Sequence, residues 1–159
     1  MRSRQFPVAA VPSIWLFADP RLGDGLWTAL ARLPRGSGVV LRGHPEPQRV
    51  AAIARRRGLL LVEESEIAKA HNRAELIRAR RTGARLVFVS PVFATRTHPG
   101  ARALGAVRFG LMVRGSGVPV AALGGMTAKR FRRLTKLGAV AWGAIDAFGQ
   151  TAPQAKPTR

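Results

Sequence analysis

Val118-Pro119-Val120-Ala121-Ala122-Leu123-Gly124-Gly125-Met126-Thr127 is a short apolar run ending in two glycines, ahead of the basic stretch Ala128-Lys129-Arg130-Phe131-Arg132-Arg133-Leu134. An apolar run of strand length with no polar alternation marks a strand covered on both faces, as in a parallel sheet. Thr127 is placed to cap a helix over 128–137, so the stretch reads as strand, turn, helix. Gly124 and Gly125 would let a ligand approach the backbone, and the N–H groups of the helix start suit an anion. A tight strand-to-helix turn with no ligand would call for the same glycines.

Working outward, the same unit repeats. Strand-length apolar runs occupy Ile14–Ala18, Gly38–Leu41, Leu59–Val62, Ile67–Ala70, Leu86–Ser90, Val118–Leu123 and Ala139–Ala144, and helix-length amphipathic stretches cover 24–33, 47–57, 73–82, 102–115 and 128–137. Asn72 with Glu75 is a helix-start signal, and Gly83 and Gly138 stand where helices close. The alternation predicts an α/β fold with right-handed crossovers. One place breaks it: Glu63-Glu64-Ser65-Glu66 is too short for a parallel crossover, which takes a dozen or more residues. Either the flanking runs form a hairpin, or one is not a strand, or a βα unit has been lost. The expected organisation is an N-terminal arm over 1–13, one domain over 14–148, and a disordered tail over 149–159 rich in Pro, Gln and Thr.

The chain has 159 residues, 47% hydrophobic, with no cysteine, enough for one domain with a true core and no disulfide or thiolate site. A reducing cytoplasm is the expected compartment. The start superficially looks like a secretion signal, but Pro7 and Pro12 interrupt its apolar part and no small-residue cleavage pattern follows. No apolar run reaches the roughly 18 residues needed to span a bilayer. With 27 Lys+Arg against 8 Asp+Glu, the formal charge is +19. Such a field attracts polyanions, yet the runs Arg55-Arg56-Arg57, Arg78/Arg80/Arg81 and Arg130/Arg132/Arg133 fall on apparent outer helix faces and read first as solvated surface. Aromatics are 6% of the chain with no tyrosine, so stacking platforms for a nucleic acid are lacking and that partner is not expected.

The richest polar loop follows the fifth candidate strand: Phe88-Val89-Ser90-Pro91-Val92-Phe93-Ala94-Thr95-Arg96-Thr97-His98-Pro99-Gly100. Ser90, the hydroxyls of Thr95 and Thr97, the Arg96 guanidinium and His98 could together hydrogen-bond and neutralise a phosphate or diphosphate. His98 would carry charge if a phosphate raised its pKa.

Taken in order, Ser-Pro-Val-Phe-x-Thr-x-Thr at 90–97, a glycine-bearing helix, Pro-Val-x-Ala-x-Gly-Gly-Met at 119–126 and Leu-Gly-Ala at 137–139 resemble the thiamine phosphate synthase and thiazole tautomerase superfamily. The resemblance runs from about Ile14 to Phe148 and is densest over 86–146. It implies a TIM-type β/α barrel, shortened here to about seven strands and left open, or completed by a second copy of the chain. In this family, synthases join hydroxymethylpyrimidine diphosphate to a thiazole phosphate and release pyrophosphate, with Mg²⁺. By position, Thr95 and Thr97 would hold diphosphate oxygens, Arg42 would supply a cation after the second strand, and Gly125, beside Gly124, would meet the thiazole phosphate. Lys69 and His71 fall where the family tends to carry Ser and His.

The departures are specific. Val40 and His44 replace the Gln and Lys of a Gln-x-Arg-x-Lys strand, and Asp146 stands where a serine is usual. The Asn-Asp that ends the third strand is replaced by Glu63 and Glu64, which become the candidate Mg²⁺ carboxylates. A second family aspartate, with its strand and helix, has no counterpart, which accounts for the cramped 63–66 connection. Pro91 precedes Val-Phe as in synthases, where tautomerases tend to carry histidine. The synthase reaction is therefore the leading expectation, beside a non-catalytic relative that binds a phosphorylated ligand and, third, a nucleic-acid-binding role.

Overall fold

The strands expected from the apolar runs lie side by side in a single parallel sheet, seen in a computed structural model that describes residues 11–95 and 99–148. In chain order the elements are β1 Ile14–Ala18, α1 Gly25–Arg32, β2 Gly38–Leu41, α2 Pro47–Arg57, β3 Leu60–Glu63, β4 Ala68–Ala70, α3 Arg73–Arg81, β5 Val87–Val89, α4 Gly105–Val113, β6 Val120–Leu123, α5 Ala128–Thr135 and β7 Ala139–Ala144. Short 3₁₀ turns at Pro20–Leu22 and Glu64–Glu66 follow β1 and β3. Two helix starts form as their residues dictate. Asn72 Oδ1 accepts from the Glu75 N–H at 2.9 Å, and Thr127 Oγ1 accepts from the Arg130 N–H at 3.2 Å.

All pairs are parallel in the order β3-β2-β1-β7-β6-β5-β4. β3 and β4 are consecutive in sequence yet are the two opposite edges. The hairpin option therefore fails: both runs are strands, and the missing βα unit belongs between them. Because every neighbour is parallel, residues 60–70 keep one direction through the seam. β3 pairs with β2 on one side, and β4 pairs with β5 on the other.

The sheet must curl for one chain segment to serve both edges, and its aromatics prove that it does. β1 and β5 are three strands apart, about 14 Å in a flat sheet. Nevertheless the Phe88 ring centroid lies 5.3 Å from Phe17 and 5.5 Å from Trp15, edge-on to both. These rings fill the interior with Val40, Val62, Leu86, Ala121 and Ala141. The alternate residues of the same strands, such as Leu16, Val39, Val87 and Ala122, face outward beneath the helices. Both faces are covered, which is why the strands are apolar throughout. Fully burying a side chain the size of Phe88 contributes about 1.5–3 kcal/mol. Gly38 is the space that Trp15 fills: a Cβ there would fall 2.2 Å from the indole. The result is a shortened, open TIM-type α/β barrel.

The helix ends fall inside the expected bounds at 102–115 and 128–137, since the structure places α4 at Gly105–Val113 and α5 at Ala128–Thr135. Among the described residues no helix is long and apolar enough to cross a membrane. The expected tail over 149–159 and most of the N-terminal arm lie outside the described residues, as do Arg96, Thr97 and His98.

Candidate functional site

Parallel strands bring their C-terminal ends to one rim, and the loops leaving that rim line one part of a cavity of about 970 Å³ that also reaches Ile14, Pro34 and Trp142. Arg42 reaches it from the end of β2, Lys69 and His71 from β4 and its exit, Ser90 and Thr95 from the loop after β5, and Gly124 and Gly125 from the β6–α5 turn. Seven of the residues singled out in the sequence, distributed over 84 positions, therefore share one cavity wall. Glu63 and Glu64 are not part of its lining.

The two motif loops are tied to each other directly. The Val92 and Phe93 N–H groups donate to the Leu123 and Gly124 carbonyls at 2.9 and 3.1 Å. Gly125 has φ +58°, and a Cβ on it would fall 2.4 Å from the Ala94 carbonyl oxygen. The glycine is thus required by the loop packed against it, independently of any ligand. Arg130 secures the same junction. Its guanidinium donates to the Gly125 carbonyl and stacks 4.7 Å above the centre of the Phe93 ring.

Charge is organised in a chain of ion pairs along the rim. Asp19, 4% exposed at the end of β1, accepts from Arg21 through both carboxylate oxygens, from Nε at 2.8 Å and from an NH2 nitrogen at 2.7 Å. That hydrogen bonding holds the Asp19 carboxyl below its ordinary range, against the opposing effect of burial. Arg42 bridges onward, 3.6 Å from Asp19 Oδ2 and, through Nε, 3.4 Å from Glu64 Oε1. Lys69 Nζ closes onto the same Glu64 oxygen. Arg130 and Asp146 complete the charged lining, and Asp146 lies within electrostatic reach of Arg21.

The expected Mg²⁺ carboxylates do not form a metal site. The Glu63 carboxylate caps the 3₁₀ turn by accepting the Glu66 N–H, while Glu66 Oε2 takes the Glu63 N–H at 2.8 Å. Glu64 is already neutralised by Lys69 and Arg42. Mg²⁺ takes hard oxygen ligands, usually one or two carboxylates plus substrate phosphates. Among the described residues no cluster of three or more His, Asp or Glu side chains could hold an ion. Among the described residues, Glu63 and Glu64 as placed, one capping a turn and the other paired with two cations, do not fit the cation.

His71 lines the cavity, but its Nδ1 lies 3.1 Å from Glu75 Oε2, on the first turn of α3. His44 is not part of the cavity lining and packs edge-on to Trp27, 5.5 Å between centroids. Two residues escaped the sequence reading. Arg130 was grouped with Arg132 and Arg133 as outer surface, although its position in the first turn after Gly124-Gly125-Met126-Thr127 carried the signal. Asp19 could have been found as the one carboxylate closing the apolar β1 run.

Residues 68–148 match the family described as thiamine monophosphate synthase. No curated protein matches in sequence. Among solved structures, a thiamine phosphate pyrophosphorylase from Pyrococcus furiosus is similar, with a TM-score of 0.67 and 17% identity over 86% of this chain and 87% of that one. A thiamine phosphate pyrophosphorylase from Bacteroides thetaiotaomicron gives a TM-score of 0.53 and 16% identity over 93% and 90%. A structure titled native KDPGal gives 0.52 and 15% over 95% and 89%. At these identities the structural likenesses show the fold alone.

Proposed function

This chain belongs to the thiamine monophosphate synthase family, and from that premise we propose that it joins hydroxymethylpyrimidine diphosphate to a thiazole phosphate. The observation that carries this reading is the convergence on one cavity of both motif loops with three basic side chains, Arg42, Lys69 and Arg130. In the reaction, the C–O bond between the pyrimidine methylene and the diphosphate breaks, and pyrophosphate leaves with the electron pair. The thiazole nitrogen forms the new C–N bond. The protein has little covalent work to do. Its task is to align the two rings and stabilise the departing charge.

Arg42 and Lys69, at the end of β2 and on β4, are the groups for the diphosphate, with the hydroxyls of Ser90 and Thr95 in the same lining; Arg96 and Thr97, next in sequence, are further candidates outside the described residues. His98, also outside the described residues, is the remaining candidate from the sequence. The Gly124–Gly125 turn and the start of α5 take the thiazole phosphate, with Arg130 beside them. A phosphate-binding relative without turnover is the second reading, supported by the engagement of Glu63 in a turn cap and of Glu64 with Arg42 and Lys69.

The deciding experiment incubates purified protein with both substrates and measures thiamine phosphate by fluorescence after oxidation. Turnover is expected for the wild type, with a loss of about 100-fold or more in Arg42→Ala if that cation meets the leaving group, the scale of a lost transition-state contact. Absence of product, with either phosphorylated substrate still bound, selects the second reading. Absence of both turnover and binding overturns the assignment of the cavity.

A further inference from the structure

The 3₁₀ turn at Glu64–Glu66 joins the two sheet edges and sets Glu64 beside Arg42 and Lys69. Glu64 Oε1 takes Lys69 Nζ and lies 3.4 Å from Arg42 Nε, so one carboxylate oxygen holds both cations. Lys69 and Arg42 line the cavity, whereas Glu64 stands behind them, outside its lining. Its side chain is 33% exposed and sits on a three-residue turn. Asp19, the other carboxylate near Arg42, is 3.6 Å away and already bound by Arg21 through both its oxygens. Glu64 is therefore the principal counter-charge of the pair.

We propose that Glu64 is a resident counter-anion for Arg42 and Lys69, and that a diphosphate group binds these cations by displacing it, with no divalent metal. A diphosphate offers several oxygens and more charge than a single carboxylate, so it can engage the guanidinium and the ammonium together. The two cations then neutralise charge that a metal would otherwise meet. A freed Glu64 remains at the exposed seam, where water solvates it. This inference rests on the phosphate-site reading of the cavity. It runs against a metal role for Glu64, and the two roles predict opposite signs for one substitution.

The test is calorimetric titration of the full chain with inorganic pyrophosphate, in EDTA and in Mg²⁺, with thermal melts confirming that each variant is folded. Wild-type protein should bind one pyrophosphate in EDTA, and Mg²⁺ should not tighten it. Glu64→Gln removes the competitor and should tighten binding in EDTA by about three- to fivefold, the scale of a partly exposed ion pair. Lys69→Met should weaken it, while Arg132→Ala/Arg133→Ala on the outer face of α5 should leave it unchanged. Binding only with Mg²⁺, lost in Glu64→Gln, would make Glu64 a metal ligand and overturn the inference while sparing the phosphate site. Equal loss in the Arg132/Arg133 variant would overturn the inference by locating binding in the general surface charge. No binding by wild type or by Glu64→Gln, in EDTA or in Mg²⁺, would overturn the phosphate-site reading itself.

Discussion

Replacing Gly125 with alanine separates two reasons for a glycine at this turn. If the residue serves only the approach of a ligand, alanine should cost no more than the backbone conformation requires. The φ of +58° places an L-residue in the left-handed region, worth about 1–2 kcal/mol. The structure adds a second cost. The new Cβ would lie 2.4 Å from the Ala94 carbonyl oxygen, against about 3.3 Å for even a close carbon–oxygen contact. The 92–95 loop would have to retreat by about 1 Å, stretching the Phe93 N–H bond to the Gly124 carbonyl. Overpacking of this kind costs about 1–3 kcal/mol, so the total is about 2–5 kcal/mol. Gly36 is the control. Its φ is +78°, and a Cβ there meets nothing within 4 Å, so Gly36→Ala should show the backbone cost alone. Equilibrium urea unfolding of both variants, at unchanged m-value, measures the difference. If Gly125→Ala is no less stable than Gly36→Ala, the loop–loop contact does not explain the glycine.

Two further outcomes follow from single bonds. Thr127→Ala removes the N-cap of α5 and should lower stability by about 1 kcal/mol in the same assay; an unchanged urea midpoint would show that the Thr127–Arg130 bond contributes nothing. Asp19 has its folded-state pKa depressed below the ordinary, unfolded value, chiefly by its hydrogen bond with Arg21. Its contribution is therefore complete above that unfolded value and is lost as pH falls through the lower folded one. The stability difference between wild type and Asp19→Asn should be flat from pH 5 to 8 and should shrink only below about pH 4. A difference that shrinks near neutrality would refute the assignment.

Much of the fold is legible in the chain because its strands and caps are local signals. Apolar runs without alternation mark β1, β2, β6 and β7, and Asn72 and Thr127 mark helix starts through bonds only three residues long. The helix over 47–57 falls where its amphipathic spacing puts it. The rim positions of Arg42, Lys69, Ser90 and Gly125 follow from their places at strand ends, since parallel strands share one C-terminal side.

What lay beyond the sequence were the pairings across the fold. The connection at 63–66 excluded a crossover, but only the sheet order showed Leu60–Glu63 and Ala68–Ala70 to be opposite edges. The glycines after β6 admit a ligand in sequence, and only the tertiary structure shows that Gly125 must also clear the Ala94 carbonyl. Glu64 had the charge for a metal, and Arg42, 22 positions earlier, already holds it with Lys69. Arg130 read as surface because helical spacing reports which side of a helix is wet, not which loop leans over it. The sequence by itself determined the elements and the rim they share, because hydrogen bonding and burial periodicity act between near neighbours. Tertiary structure decided the partner of each charge and the occupant of each gap, because those contacts join residues whose separation along the chain carries no signal.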